Sequence, residues 1–254
     1  MSVRMIRVLG PVDVVTAAGA RSVGGRRPQM VLATLALTVG HCATVDHLVD
    51  VLWPSGPPDH AVSTIQSYVS RLRHLLGRDA IRSVDGSYLL DVGVEELDAL
   101  KFERMVRAAR DEPDPATVRA VCREALALWR GAPFGDLSRE DPFRTEALRL
   151  DELRVLAMEL ALEAELSLGR SDLVVGELEA AVQENPYRER LWYLLIDALA
   201  SDGRRVEALR ACSDLRRILG DVGLEPGSHL ELLEDRILAG GEPDVFRTHG
   251  EDGL

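Results

Sequence analysis

The sequence predicts a mainly α-helical protein with a small β component, built in two parts. The first part is three helices closed by a β-hairpin, and the second is an all-α array of repeats. Three observations carry this reading. Residues 60–78, HAVSTIQSYVSRLRHLLGR, form an amphipathic basic stretch without one acid. Residues 81–92, IRSVDGSYLLDV, set Asp85-Gly86 between β-type runs, which signals a hairpin. Two later segments match at an offset of 34 residues, the period of tetratricopeptide helix pairs.

The elements follow in order. MIRVLGPVDVV (5–15) alternates weakly and is β-branched, which suggests a strand pair or one bent strand broken at Gly10-Pro11. GARSVGGRR (19–27) reads as a turn. A helix then starts with Pro28 near its first position and runs to Gly40, a C-terminal stop. Thr44 is placed to cap a second helix, VDHLVDVLW, which Pro54 ends. PSGPPDH is a rigid polar loop in which Asp59 is positioned to cap the third helix, and Gly77 stops that helix. Three helices followed by a hairpin make a winged helix, with the hairpin as the wing.

The third helix has two faces. Ile65, Tyr68, Val69, Leu72, Leu75 and Leu76 fall on one of them at i, i+3, i+4, i+7 spacing. The opposite face carries Ser63, Ser67, Ser70 and His74, flanked by Gln66, Arg71 and Arg73. Small polar side chains let a helix backbone approach the DNA major groove, where Gln pairs with adenine and Arg with guanine. On this reading Gln66, Ser67, Ser70 and Arg71 face base edges, and Thr64, Arg73 and His74 lie nearer phosphates. Arg26 and Arg27 precede the first helix, whose positive end also favours a phosphate. Arg82, Ser83 and Tyr88 of the wing are expected at the neighbouring backbone or minor groove. The alternatives are an ordinary solvated helix and, for Arg26-Arg27, a solvated turn.

The net charge of −12 looks wrong for a nucleic-acid binder until it is divided along the chain. Residues 1–92 hold nine Arg and seven acids, a net of +2, which leaves 21 basic and 35 acidic residues, a net of −14, in the remainder. Such asymmetry hints at two different partners, although acidity also serves solubility. At 254 residues, two domains are expected. Cys42, Cys122 and Cys212 are odd in number and far apart, which argues against a disulfide framework. The start has no signal-peptide layout and no run reaches the length of a membrane span, so the cytoplasm is the expected compartment and no membrane contact is expected.

After Asp98 the chain is helix-compatible nearly throughout, with less regular helices expected at 99–110 and 115–130. Leu160 matches Leu194, Leu162 matches Ile196, Glu163 matches Asp197, Ala164 matches Ala198, and Gly169-Arg170 matches Gly203-Arg204. Each Gly-Arg marks the turn inside a helix pair, and the small Ala residues permit close contact. Arrays of this kind bind proteins or assemble rather than catalyse. Trp53, Trp129 and Trp192 are expected as core anchors. His41, Cys42, Asp46 and His47 lack metal-ligand spacing, no G-x-x-x-x-G-K-[ST] phosphate loop occurs, and no Ser-His-Asp or Cys-His arrangement has supporting context. No catalytic residue, cofactor or metal is expected, and the chain is not read as an enzyme.

The order of elements resembles the response-regulator type of winged helix, which has strands before its first helix. A closer similarity is to the Streptomyces antibiotic regulatory protein (SARP) family, in which that domain precedes a bacterial transcriptional activation domain. It rests on Arg26-Arg27, Leu52-Trp53-Pro54 with Pro57-Pro58, residues Gln66 to Arg73 (QSYVSRLR), and Gly86-Ser87-Tyr88 with Leu90. Further on, ALWRGAPFGDL (127–137), DELRVLAMEL (151–160) and LGDVGLEPGSHLELLEDRIL (219–238) extend it to about residue 240. Cys212-Ser213 departs from it, standing where a Tyr is expected. The resemblance implies a DNA-binding domain over 1–97, a tetratricopeptide-like activation domain over 98–240 and a polar tail over 241–254. It implies a cytoplasmic activator of an antibiotic gene cluster that binds direct repeats in double-stranded DNA as a dimer and recruits RNA polymerase holoenzyme. A helical-repeat scaffold whose winged helix binds protein, or a repressor with the same DNA-binding domain, are the alternatives.

Overall fold

The computed structural model describes residues 3–239, and the tail expected over 241–254 lies outside them. The chain forms two compact units: Met1–Ala108 with Arg123–Ala157, and Ala109–Cys122 with Met158–Leu254.

The first unit opens on an antiparallel sheet of β1 (Val3–Arg7), β2 (Asp13–Thr16) and β3 (Gly19–Ser22) in that spatial order. The break at Gly10-Pro11 separates β1 from β2, so the strand-pair form of the expectation holds. β3 occupies Gly19–Ser22, where the sequence pattern predicts only a turn over 19–27. All four of its residues are exposed, so it carries no hydrophobic alternation; its backbone ladder to β2 defines it. Thr16 shapes the connection, since its hydroxyl donates to the Gly19 carbonyl at 3.1 Å and accepts from the Ala18 N–H at 3.2 Å.

Three helices follow: α1 (Arg26–Leu37), α2 (Val45–Leu52) and α3 (Ala61–Leu76), with the short strand β4 (Ala43–Thr44) before α2. The Thr44 hydroxyl accepts from the His47 N–H at 3.1 Å, the expected cap. Asp59 does not cap α3. The Ala61 N–H bonds to the Pro58 carbonyl at 3.0 Å, and this turn leaves Asp59 one residue short of the cap position, which His60 takes. The wing is β5 (Ile81–Val84) and β6 (Ser87–Leu90), and β6 also pairs with β4. Asp85 and Gly86 both have positive φ, 46° and 77°, as a two-residue hairpin turn requires.

Most of α4 (Asp98–Arg110) and residues 123–157 complete this unit. Phe102 and Phe143 are wholly buried with Ile6, Leu9, Leu32, Leu48, Ile65, Leu72, Ile81 and Leu90. Burying each such side chain stabilises the fold by roughly 1.5–3 kcal/mol. Main-chain bonds join the end of β1 to residues near 130: Arg130 N–H to Leu9 C=O at 2.8 Å, and Phe134 N–H to Val8 C=O at 2.7 Å. Trp53 and Trp129 differ from the expected core anchors. Both are half-buried, with the guanidiniums of Arg27 and Arg154 over their rings at 5.4 and 5.2 Å, so a cation covers a face that solvent would otherwise meet.

The second unit is helical. It takes in part of α5 (Pro115–Leu126) and the end of α6 (Phe143–Ser167), then α7 (Ser171–Glu184), α8 (Glu189–Ser201), α9 (Arg205–Gly220) and α10 (Ser228–Ala239). The 34-residue offset is visible in its turns. Arg170 N–H bonds to Glu165 C=O at 3.1 Å and Gly169 N–H to Leu166 C=O at 2.9 Å; Arg204 N–H bonds to Leu199 C=O at 2.8 Å and Gly203 N–H to Ala200 C=O at 3.0 Å. These are the 6→1 and 5→2 bonds of a Schellman cap, and they require left-handed backbone at the glycines, whose φ values are 73° and 76°. Leu162 and Ile196, and likewise Ala164 and Ala198, are buried at matching positions. Trp192 is the buried anchor expected, with its indole N–H on the Pro186 carbonyl at 3.0 Å.

Candidate nucleic-acid interface

α3 divides its residues as its periodicity dictates. Ala61, Ile65, Val69, Leu72 and Leu76 are buried. Ser63, Gln66, Ser67, Ser70, Arg71 and His74 are exposed together on the other face, and Thr64 and Arg73 are half-exposed at its borders. Ser63 and Thr64 turn their hydroxyls back to the His60 carbonyl, at 3.0 and 2.8 Å, which leaves their oxygens to accept from outside. No acid lies in the first turn, while Arg73 and His74 occupy the last, where cations complement the helix dipole.

The basic groups around this face are held by partners within the chain. Arg73 donates through Nε to the Ile81 carbonyl and through Nη2 to the Ser83 hydroxyl, both at 2.8 Å, and lies 5.9 Å from the centre of the Tyr88 ring. It therefore ties α3 to the wing as well as facing outward. Arg82 pairs with Asp91 at 3.2 Å, both well exposed. Arg27 stacks on Trp53, and Arg26 pairs with Glu140. Arg71 rests against Gly24, where a β-carbon would stand 3.1 Å from its Nη2 atom. Tyr88 departs from the sequence expectation. β6 alternates half-buried and buried positions, Ser87 and Leu89 against Tyr88 and Leu90, so Tyr88 turns inward. Its contribution is to carry Arg73.

Two concavities flank the face. One, of about 320 Å³, is lined by Ser70, Arg73, His74 and Arg78. The other, of about 550 Å³, lies among the start of α1 (Gly25 to Pro28, with Met30), the end of α2 (Leu52, Pro54), Tyr68 and Arg71 of α3, and Glu140. Arg78 and Glu140 line these concavities beside the residues that the sequence predicts. Arg78 closes the acid-free stretch and was legible there. Glu140 is 114 residues from Arg26, and no local pattern connects them. Chemically the surface is a helix face of small hydroxyls and one amide, bordered by guanidiniums, which suits recognition of base edges and phosphates rather than bond-breaking. Among the described residues no cluster of His, Cys, Asp or Glu forms a metal site, and no helix is long and apolar enough to cross a membrane.

Residues 97–238 match the bacterial transcriptional activator domain family. Regulatory protein DnrI of Streptomyces peucetius is 35% identical over 243 residues, covering 89% of this chain and 88% of its own. Transcriptional regulator RedD of Streptomyces coelicolor is 31% identical, over 92% of this chain and 70% of its own. Regulatory protein AfsR of Streptomyces griseus is 34% identical over 92% of this chain, which spans only 24% of that protein's length. In three dimensions the chain is similar to Mycobacterium tuberculosis EmbR, solved in complex with a low-affinity phosphopeptide. The TM-score is 0.88 at 32% identity, over 96% of this chain and 67% of that one.

Proposed function

The chain belongs to the SARP family of transcriptional regulators, and on that premise we propose that it is a sequence-specific DNA-binding activator acting in the bacterial cytoplasm. The observation that carries this is the exposed face of α3, acid-free from His60 to Arg78 in a chain of net charge −12. Gln66 and Arg71 read bases, and Ser63, Ser67 and Ser70 let the helix enter the major groove. Arg73, His74, Arg26 and Arg27 meet phosphates, Thr64 joins them when its hydroxyl proton turns from the His60 carbonyl, and Arg82 and Ser83 on the wing reach the adjoining backbone or minor groove. Tyr88 acts from beneath Arg73. The residues that meet DNA all lie within residues 1–97, in a unit whose packing is completed by residues up to 108 and by 123–157.

Residues 98–240 supply activation by meeting RNA polymerase holoenzyme. Their acidity suits basic polymerase surfaces and repels phosphates, so the charge favours that encounter over more DNA. The target is direct repeats about one helical turn (~10–10.5 bp) apart, occupied by two protomers on one DNA face. The names of the Streptomyces relatives support regulation as the role, and an antibiotic gene cluster is the regulated target proposed. The test is footprinting on DNA upstream of the neighbouring genes, followed by reconstituted transcription. Protection of spaced repeats with increased transcript is the expected result. Protection with decreased transcript would mark a repressor, and salt-independent absence of binding would leave a protein-binding scaffold.

A further inference from the structure

The larger concavity beside α3 is lined by three guanidiniums and one carboxylate. Arg26 and Arg27 are the first two residues of α1, and Arg71 enters from α3. α1 has no side-chain cap on its N-cap residue Gly25 and no acid in its first turn, so its own positive end is uncompensated locally. Among the residues lining the concavity, Glu140 is the acid, and it is ion-paired with the Arg26 guanidinium. Both side chains are about half exposed, 49% and 50%. A pair so exposed is weak and exchangeable.

We infer that Glu140 is an internal competitor for DNA phosphate: its carboxylate holds Arg26 in the free protein and must give the guanidinium up when a phosphate binds. The inference rests on the DNA-binding reading above and adds a residue that lowers affinity. Its chemistry is a swap of one oxyanion for another on the same guanidinium, with no change in protonation or covalent structure. Exposure makes the swap cheap. Because a phosphate contact carries no sequence information, the effect is on general affinity and salt dependence rather than on base preference. The device keeps the recognition surface from holding every duplex it meets and leaves discrimination to the α3 face.

The experiment uses the full chain and fluorescence anisotropy with two probes, a duplex from the protected upstream region and a mixed-sequence duplex of equal length, across a salt series. Glu140→Gln should tighten both by about two- to fivefold, the range set by an exposed ion pair, and steepen the salt slope by up to about one. Asp141→Asn removes the same charge one residue away, where Asp141 pairs with Arg144 at 2.8 Å, and should leave the slope unchanged. In an Arg26→Ala background, Glu140→Gln should have no further effect. Equal gains from Glu140→Gln and Asp141→Asn, or a gain that survives Arg26→Ala, would reduce Glu140 to a general repulsive charge and overturn the inference. So would an unchanged Glu140→Gln protein whose wild type binds with a normal salt slope. Failure of the wild type to bind either duplex overturns the DNA-binding reading, and this inference with it.

Discussion

The carboxylate of Asp98 accepts a hydrogen bond from the Val8 backbone N–H at 2.8 Å, across 90 residues of chain. A second bond comes from the Leu9 N–H at 3.1 Å, and Arg130 stands 3.9 Å away. The Arg130 guanidinium also reaches Asp13 at 3.3 Å and the Pro11 carbonyl at 3.1 Å. The two residues that follow β1 thus give both their N–H groups to one carboxylate that lies beyond the wing.

Asp98 makes stability pH-dependent. Its burial raises the carboxyl pKa from 3.8 to about 6, against the Val8 and Leu9 N–H groups and Arg130, which pull it down. The folded state therefore holds this proton more tightly than the unfolded chain does. The group's contribution is fully present below pH 3.8, falls as pH rises through about 6, and is level above that, a change of about 3 kcal/mol. Asp98→Asn removes the titration and leaves one backbone donor without an acceptor. Measured by urea midpoints, the stability of the wild type relative to the Asn variant should fall by about 3 kcal/mol between pH 4 and pH 7. A difference that stays constant over this range would show that Asp98 does not titrate there.

A fragment ending at residue 97 should not unfold cooperatively. It lacks Asp98, the acceptor for the Val8 and Leu9 N–H groups, and it lacks Phe102, Phe134 and Phe143, all buried in the intact unit. Each unsatisfied buried donor costs about 1–3 kcal/mol, and the exposed apolar surface adds to that. Thermal unfolding followed by circular dichroism should show a broad transition, where the full chain gives a sharp one. A sharp transition in the fragment would mean that these contacts are dispensable.

Arg71→Ala and Arg73→Ala should separate recognition from architecture. Arg71 makes no contact that holds the wing, so its loss should leave the melting temperature unchanged, cost ~1–3 kcal/mol in DNA affinity and relax preference at one base pair. Arg73 holds the Ile81 carbonyl, the Ser83 hydroxyl and the Tyr88 ring, so its loss should destabilise the protein by roughly 1–3 kcal/mol and weaken all duplexes alike. Differential scanning fluorimetry beside binding on matched and mutated operators would distinguish them. Equal melting temperatures for the two variants would contradict the role of Arg73.

The repeat turns offer a test by glycine. Gly169→Ala and Gly203→Ala place a side chain in left-handed backbone, and nothing lies within 4 Å of the added carbon, so the cost is conformational only, about 1–2 kcal/mol each. Gly176 lies exposed inside α7 with the same open space, and there Ala should stabilise by about 0.5–1 kcal/mol. Chemical denaturation of the three variants should give two losses and one gain. Three changes of one sign would refute this assignment of the turns.

Local chemistry made much of this protein readable in advance. The two faces of α3 follow from helical spacing, the Thr44 cap and the Asp85-Gly86 turn from residue type, and the two Schellman turns from Gly-Arg recurring after 34 residues. Each is decided by groups within a few residues of one another. β3 was not readable, because an all-exposed edge strand has no apolar alternation and exists through its neighbour's hydrogen bonds. The inward turn of Tyr88 depends on the pleat of β6, and the shift of the α3 cap from Asp59 to His60 depends on a turn at Pro58. The partners of Arg26, Arg73 and Asp98 are likewise products of the fold. An ion pair between positions 26 and 140, or a carboxylate at 98 capping a strand end at 8, leaves no periodic trace in the chain, since only packing brings such groups within bonding distance.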